Sequence, residues 1–362
     1  AHTMMALGLL RADQARFKEA EQLVRDGLAM SRRHLPESHA DEIKGTAALG
    51  LVLEDRGEYD QAIPVLREAV HLDSASGAQP TDLSAAITLL ANTYFYAGRY
   101  PEADSLNRRV LGMDRAIYGP RHPNVADDLI NLGAVQFQAG RYAEAAQFDA
   151  QALDIDQAWY GPEHPETASA MTILARALVA QSRNDTALVL LHRALAIQER
   201  VYGPVHPRVA SALNELGHVA QSEGRLDSAA ADFRRMADIY RHVYGDNHYL
   251  IGIAVSNLGG VYLDEGQPSR AEQLFREAIR RYSTALSPEH QYTAVARIKL
   301  GRALLVQHRF AEAERESRAG YEILLKEASP PADWLANARK DLAAEYDALH
   351  QPANAARFRT GT

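Results

Sequence analysis

Cysteine is absent from this 362-residue chain, which excludes disulfides, thiolate-bound metal and a cysteine nucleophile. Aromatic residues make up only 7%, too few for a large sheet core. No stretch approaches the roughly 20 apolar residues that a bilayer-spanning helix needs. Residues 1–10 lack the basic region and cleavage site of a signal peptide. Positive charge is not in excess: 39 Lys and Arg against 47 Asp and Glu leave a net charge of −8, which gives no support for gripping a nucleic-acid backbone. The glycine-rich phosphate loop, the His-Glu-x-x-His pair, the calcium loop and the Gly-x-Ser-x-Gly elbow are all missing. The chain therefore reads as a protein without a catalytic site or cofactor and with no membrane insertion of its own; a cytoplasmic location is expected, with part of a membrane-anchored protein as the alternative.

What is present is Ala and Leu. Hydrophobic residues reach 46% and charged residues 24%, a globular balance that suits closely packed helices. The length exceeds what one compact core serves, so several domains or a repeat array are required.

A repeat is readily found. Stepping in 42s from Leu7, with a single step of 41, a Leu recurs at Leu49, Leu90, Leu132, Leu174, Leu216, Leu258, Leu300 and Leu342. Gly or Ala follows it every time, and thirteen positions after each Leu stands Ala, from Ala20 to Ala355. Three positions without a miss in nine copies lie beyond chance. Each unit reads as two helices joined by a tight turn. The first helix stops at Gly57, Gly98, Gly140, Gly224 and Gly266, where glycine can adopt the left-handed conformation that closes a helix. The turn is clearest as Gly98-Arg99-Tyr100 and Gly140-Arg141-Tyr142. The small residue after the Leu and the Ala of the second helix are expected to meet, letting the two backbones approach.

A second signature joins the units: Tyr118-Gly119-Pro120-Arg121-His122-Pro123, with near copies at residues 160–165 and 202–207. Its Gly ends the outgoing helix, its His falls at the next N-cap, and its second Pro fits the first helical position, where a missing N–H costs nothing. Six of the 14 histidines share that position: His39, His122, His164, His206, His248 and His290. Equivalent positions in neighbouring repeats are at least roughly 8–10 Å apart, too far for two His nitrogens each about 2.0–2.1 Å from one zinc. They read as caps. The pattern weakens at Ser182-Arg183-Asn184, at Gln267-Pro268, and at Ser76–Pro80, where Tyr and His are lost and one residue is missing. That last junction, between the second and third repeats, is expected to open most easily.

The Leu-Gly, Gly-Arg-Tyr and Ala pattern resembles the tetratricopeptide repeat. The 42-residue period and the Tyr-Gly-Pro-x-His-Pro linker resemble its kinesin-light-chain-like subtype, found also in bacterial multidomain proteins. The resemblance covers the whole chain and implies an all-α, right-handed superhelical solenoid of antiparallel helix pairs. About nine repeats are expected, at residues 1–38, 39–80, 81–121, 122–163, 164–205, 206–247, 248–289, 290–331 and a partial 332–362, forming one solenoid cut from a longer protein.

In such arrays the second, fifth, ninth, twelfth and thirteenth positions of each repeat, with the Leu as seventh, line a concave groove that binds a peptide or partner protein. Spacings of three and four keep these on one helical face. Carried over, the groove residues are Asn92, Tyr96, Gln138, Thr172, Arg176, Asn214, His218, Ser256 and Arg302, with Asn131 and Asn257 one position off it. An Asn amide can donate to a peptide C=O while accepting from an N–H. Arg176 and Arg302 can take a carboxylate bidentately, and Phe95, Tyr96 and Phe137 can form an apolar pocket. The plainer alternatives are that the Phe residues pack between repeats and that a groove Arg pairs with a neighbouring Asp. Two other functions compete with the scaffold reading: a spacer or self-association module, and the regulatory region of a Ser/Thr kinase or NTPase.

Overall fold

The computed structural model describes residues 1–13, 16–35, 39–77, 79–286, 288–326 and 332–360. Among them every regular element is an α-helix, eighteen in chain order. These are α1 (His2–Asp13), α2 (Phe17–His34), α3 (Ala40–Asp55), α4 (Tyr59–Ala75), α5 (Pro80–Tyr96), α6 (Tyr100–Tyr118), α7 (Pro123–Gln138), α8 (Tyr142–Tyr160) and α9 (Pro165–Ala180). The series continues with α10 (Asn184–Tyr202), α11 (Pro207–Ser222), α12 (Leu226–Tyr244), α13 (Tyr249–Asp264), α14 (Pro268–Ala285), α15 (Gln291–Val306), α16 (Phe310–Leu324), α17 (Ala332–Ala348) and α18 (Pro352–Thr360). None is long and apolar enough to cross a membrane.

The chain forms two compact units, Ala1–Val135 and Gln136–Thr362, with the division inside α7. In the first, α1 packs on α2, α3 on α4 and α5 on α6; in the second, α9 packs on α10, α11 on α12, α13 on α14, α15 on α16 and α17 on α18. Odd-numbered helices are the first helices of the repeats and even-numbered helices the second.

The repeated small residue explains how closely each pair packs. A Cβ placed on Gly217 would lie 2.7 Å from the ring of Phe233, and one on Gly259 would lie 2.8 Å from the ring of Phe275. Both rings are fully buried and anchor one core that runs from α11 to α16. On Gly301 the added carbon would meet the Ala313 carbonyl at 3.0 Å, so the small residue does face the invariant Ala of the second helix.

Turns and linkers follow the local chemistry. Gly57, Gly98, Gly140, Gly224 and Gly266 all have φ between +71° and +75°. Ser182, His308 and His350 hold the same left-handed conformation at φ of 59°, 60° and 56° without being glycine, so the geometry of the turn overrides the local preference. Pro268 begins α14 rather than interrupting it. At all six linker histidines Nδ1 accepts the backbone N–H two residues on, at 3.1–3.3 Å. The linker Tyr lies flat on the His ring, with centroids 4.6, 4.6, 4.1 and 4.4 Å apart for Tyr118/His122, Tyr160/His164, Tyr202/His206 and Tyr244/His248. The junction before α5 has none of this. Its N-cap, Gln79, makes no side-chain bond, and Ala78 lies outside the described residues.

Candidate functional site on the first-helix face

In the second unit the first helices are joined edge to edge by side chains. Asn257 on α13 donates through Nδ2 to Asn214 Oδ1 on α11 at 2.9 Å. Gln221 on α11 donates to Asp264 on α13 at 2.7 Å. Lys299 on α15 reaches Ser256 Oγ on α13 at 3.4 Å, and Arg302 on α15 pairs with Asp341 on α17 at 2.7 Å. The fifth, ninth and twelfth residues of one first helix thus meet the sixth or thirteenth of the next. A 42-residue period brings this about: it returns each helix to the same rotation, so one polar stripe aligns with its neighbour.

The candidate residues differ in how free they are. Asn214 also donates to Glu215 at 2.9 Å, so its amide is engaged at both ends. Each end keeps one further hydrogen or lone pair. His218 sits edge-on to Phe233 with centroids 5.2 Å apart, and its Nε2 is 3.4 Å from Asn257 Nδ2. Burial holds its imidazole below the ordinary histidine range, with the Lys299 charge adding to that and Glu215 opposing it. Thr172 and Ser256 are buried, and the Thr172 hydroxyl donates back to the Ala168 carbonyl at 3.1 Å. Gln138 is exposed at the end of α7. Arg302 is the groove arginine that has an in-chain acid.

Arg176 differs from Arg302. Its guanidinium carbon stands 4.7 Å above the centre of the Phe137 ring, a cation–π arrangement. Its Nε is buried without a hydrogen-bond partner, and it makes no ion pair among the described residues. Asp149 on α8 feels the Arg176 charge but does not reach it. Burial pushes the Asp149 carboxyl up to about 7, against that charge, and its Oδ1 is likewise without a partner. Lys299 likewise makes no ion pair among the described residues, although the Asp264 charge acts on it. It lies 5.6 Å from the centre of the Trp334 ring, and burial followed by the Arg302 charge pushes it down to about 8.

In the first unit, Asn92 and Tyr96 sit one turn apart on α5. Tyr96 is 52% exposed, with the Phe95 ring perpendicular to it at 5.5 Å and the Tyr59 ring nearly parallel at 6.5 Å. Thr93 donates to Glu54, at the end of α3. Phe95 and Phe137 also contact the Tyr that opens the following helix, Tyr100 at 5.8 Å and Tyr142 at 5.1 Å. The twelfth-position Phe therefore both packs within its repeat and borders the face.

Sequence reasoning missed Glu54, Glu215, Asp264, Lys299 and Asp341. Most of them occupy the sixth and thirteenth positions, and a charge at the sixth position in three of the last four copies (Glu215, Lys299, Asp341) was the available signal. The carried-over positional rule passed over it.

Family models of the tetratricopeptide repeat match residues 82–158, 129–200, 174–241, 208–284 and 250–326, and further models of the same repeat match residues 1–41 and 46–77. The protein called kinesin light chain-related 1 of Arabidopsis thaliana is 27% identical over 116 residues, spanning 32% of this chain and 19% of its own length. A putative kinesin light chain of Podosopora anserina with nearly identical TPR-like repeats superposes with a TM-score of 0.51 at 21% identity, covering 56% of this chain and 95% of that one. A Rap protein complexed with competence and sporulation factor superposes with a TM-score of 0.59 at 16% identity, covering 95% of this chain and 98% of its own. At these identities the structures show a shared fold.

Proposed function

The chain belongs to the tetratricopeptide repeat family, and from that premise we propose that it is a non-catalytic scaffold whose first-helix face holds a peptide segment or partner protein. The observation that carries this reading is the row of first helices α9, α11, α13 and α15. Their side chains hydrogen-bond to one another across the row, α9 to α11 through Arg208 with Glu166 and Ser169, α11 to α13 and α13 to α15. Arg176 and Lys299 make no ion pair there among the described residues, and each stands against an aromatic ring. Such a row presents amides at Asn214 and Asn257 to a backbone and two cations to its side groups. The Rap protein, of the same fold, is complexed with competence and sporulation factor, which supports reading the array as a surface that holds something.

The test is a pull-down with the whole chain as bait beside the double variant Arg176→Glu and Asn214→Ala. Circular dichroism comes first, because Arg176→Glu sets a second carboxylate near Asp149. A protein captured by the parent and lost by the variant supports the groove. Equal capture by both moves the binding surface elsewhere.

One observation favours a second reading, self-association. Trp159-Tyr160, Val201-Tyr202 and Val243-Tyr244 end α8, α10 and α12 and are 36–56% exposed, forming a periodic apolar row beside the linkers. Light scattering separates the two: concentration-dependent mass, abolished by Trp159→Glu with Val201→Glu, supports a second copy as the partner.

A further inference from the structure

We infer that the paired C-terminal ends of α3 and α5 form a subsite for a cationic side chain, lysine or arginine, of a bound polypeptide, seated against the Tyr96 ring and paired with Glu54. This deepens the scaffold reading and rests on it, but it lies in the first unit, apart from Arg176 and Asn214.

Three kinds of observation converge on a cation. The first is the ring set. Tyr96 is 52% exposed, and Tyr59 and Phe95 hold it from two sides, at 6.5 Å nearly parallel and 5.5 Å perpendicular. An exposed, fixed ring of this kind attracts a cation to its face. The second is a carboxylate without a counter-ion. Glu54 accepts from the Thr93 hydroxyl and makes no ion pair among the described residues. Burial pushes it up to about 7, and the neighbouring Asp55 charge adds to this. The Tyr96 hydroxyl is raised as well, by burial and then by Glu54 and Asp55, so these charges and the ring share one locality. The third is the backbone. Glu54 is the penultimate residue of α3 and Tyr96 the last of α5, and the C-terminal end of a helix carries a partial negative charge that favours cations.

The arginines next in sequence to these two residues are already committed: Arg56 pairs with Glu21 and with Glu58, and Arg99 pairs with Glu102. Arg67 lies over the Tyr94 ring, 5.6 Å from its centre. With no cation of the described residues paired to Glu54, the occupant is one from outside. Its attachment to a polypeptide, rather than its being a free small cation, follows from Asn92, one turn before Tyr96 on α5. That residue places a donor-and-acceptor amide where the backbone carrying the side chain would run.

The test uses the full chain immobilised for surface plasmon resonance and three capped pentapeptides, Gly-Ala-X-Ala-Gly, with X as arginine, lysine or the neutral isostere citrulline. The arginine and lysine forms are expected to bind saturably and the citrulline form at least about tenfold more weakly, the size of a partly desolvated cation–π contact plus a charged hydrogen bond. Glu54→Gln and Tyr96→Ala should each weaken the arginine peptide by roughly 3- to 10-fold, while Tyr96→Phe, which keeps the ring face, should bind like the parent. Neither site threatens folding: the amide oxygen that Glu54→Gln introduces still accepts from Thr93, and Tyr96 is an exposed side chain. Equal binding of the citrulline peptide, indifference to Glu54→Gln, or no saturable binding of the arginine peptide overturns the inference. A parent-specific capture in the pull-down, lost with Arg176→Glu and Asn214→Ala, would leave the scaffold reading standing after any of those results.

Discussion

Among single residues, Asp149 is at odds with its surroundings. It stands on α8 at the repeat position that holds Phe233 and Phe275 in later copies, is 3% exposed, and has an oxygen without a partner. Its carboxyl is pushed up from 3.8 to about 7, so the folded chain keeps a proton that the unfolded chain releases near 4. The stabilising contribution is therefore complete below about pH 4 and is lost as pH rises through about 7. Asp149→Asn cannot ionise. It should raise stability at pH 8 by on the order of 2–4 kcal/mol, with little gain at pH 4.5. Thermal unfolding at the two pH values checks this, and an equal shift at both would rule out ionisation as the cause. Two of the capping histidines, His248 and His290, pull the other way: each cap uses a bare Nδ1, and burial holds both below the ordinary histidine range.

For helices, the decisive contacts are those between the small residue of the first and the large residue of the second. Gly217 and Phe233 are complementary in volume, as are Gly259 and Phe275. Gly217→Ala should destabilise by about 1–3 kcal/mol through overpacking, although alanine is the better helix former. Adding Phe233→Leu should recover part of the loss, because the methyl group then has somewhere to go. A denaturant-melt cycle over the four proteins measures the coupling. A Gly217→Ala variant as stable as the parent would show that the ring shifts freely. The left-handed turn residues Ser182, His308 and His350 make the same point about elements: where two packed helices set the geometry, the local residue follows.

At the scale of the molecule, stability in a repeat array is close to a sum of neighbour terms, so its weakest link is local. The junction before α5 has neither the histidine cap nor the tyrosine stack that the linkers before α7, α9, α11 and α13 share. Amide exchange should lose protection first around residues 74–84, ahead of the corresponding segments at His164 and His206. Uniform protection across the linkers would refute the idea. The match to the kinesin light chain-related relative spans 19% of that protein's length.

Most of the fold was legible because a repeat states its rules many times over. Leu-small pairs, turn glycines, linker prolines and capping histidines are short-range devices, and each acts within a few residues of itself. Nine copies then separate signal from accident. The sites were legible only in part. Asn214, His218 and Arg176 could be placed on the first-helix face by position alone. Whether each was free depended on residues about forty positions away: Asn257 for Asn214 and Asp341 for Arg302, whereas Arg176 has no ion-pair partner among the described residues. The sequence by itself determined the elements, their period and their caps, because backbone conformation answers to near neighbours. Only the tertiary structure decided which charges are spent and which remain, because a charge is neutralised by whatever packing brings within about 4 Å, however far off in the chain that residue stands.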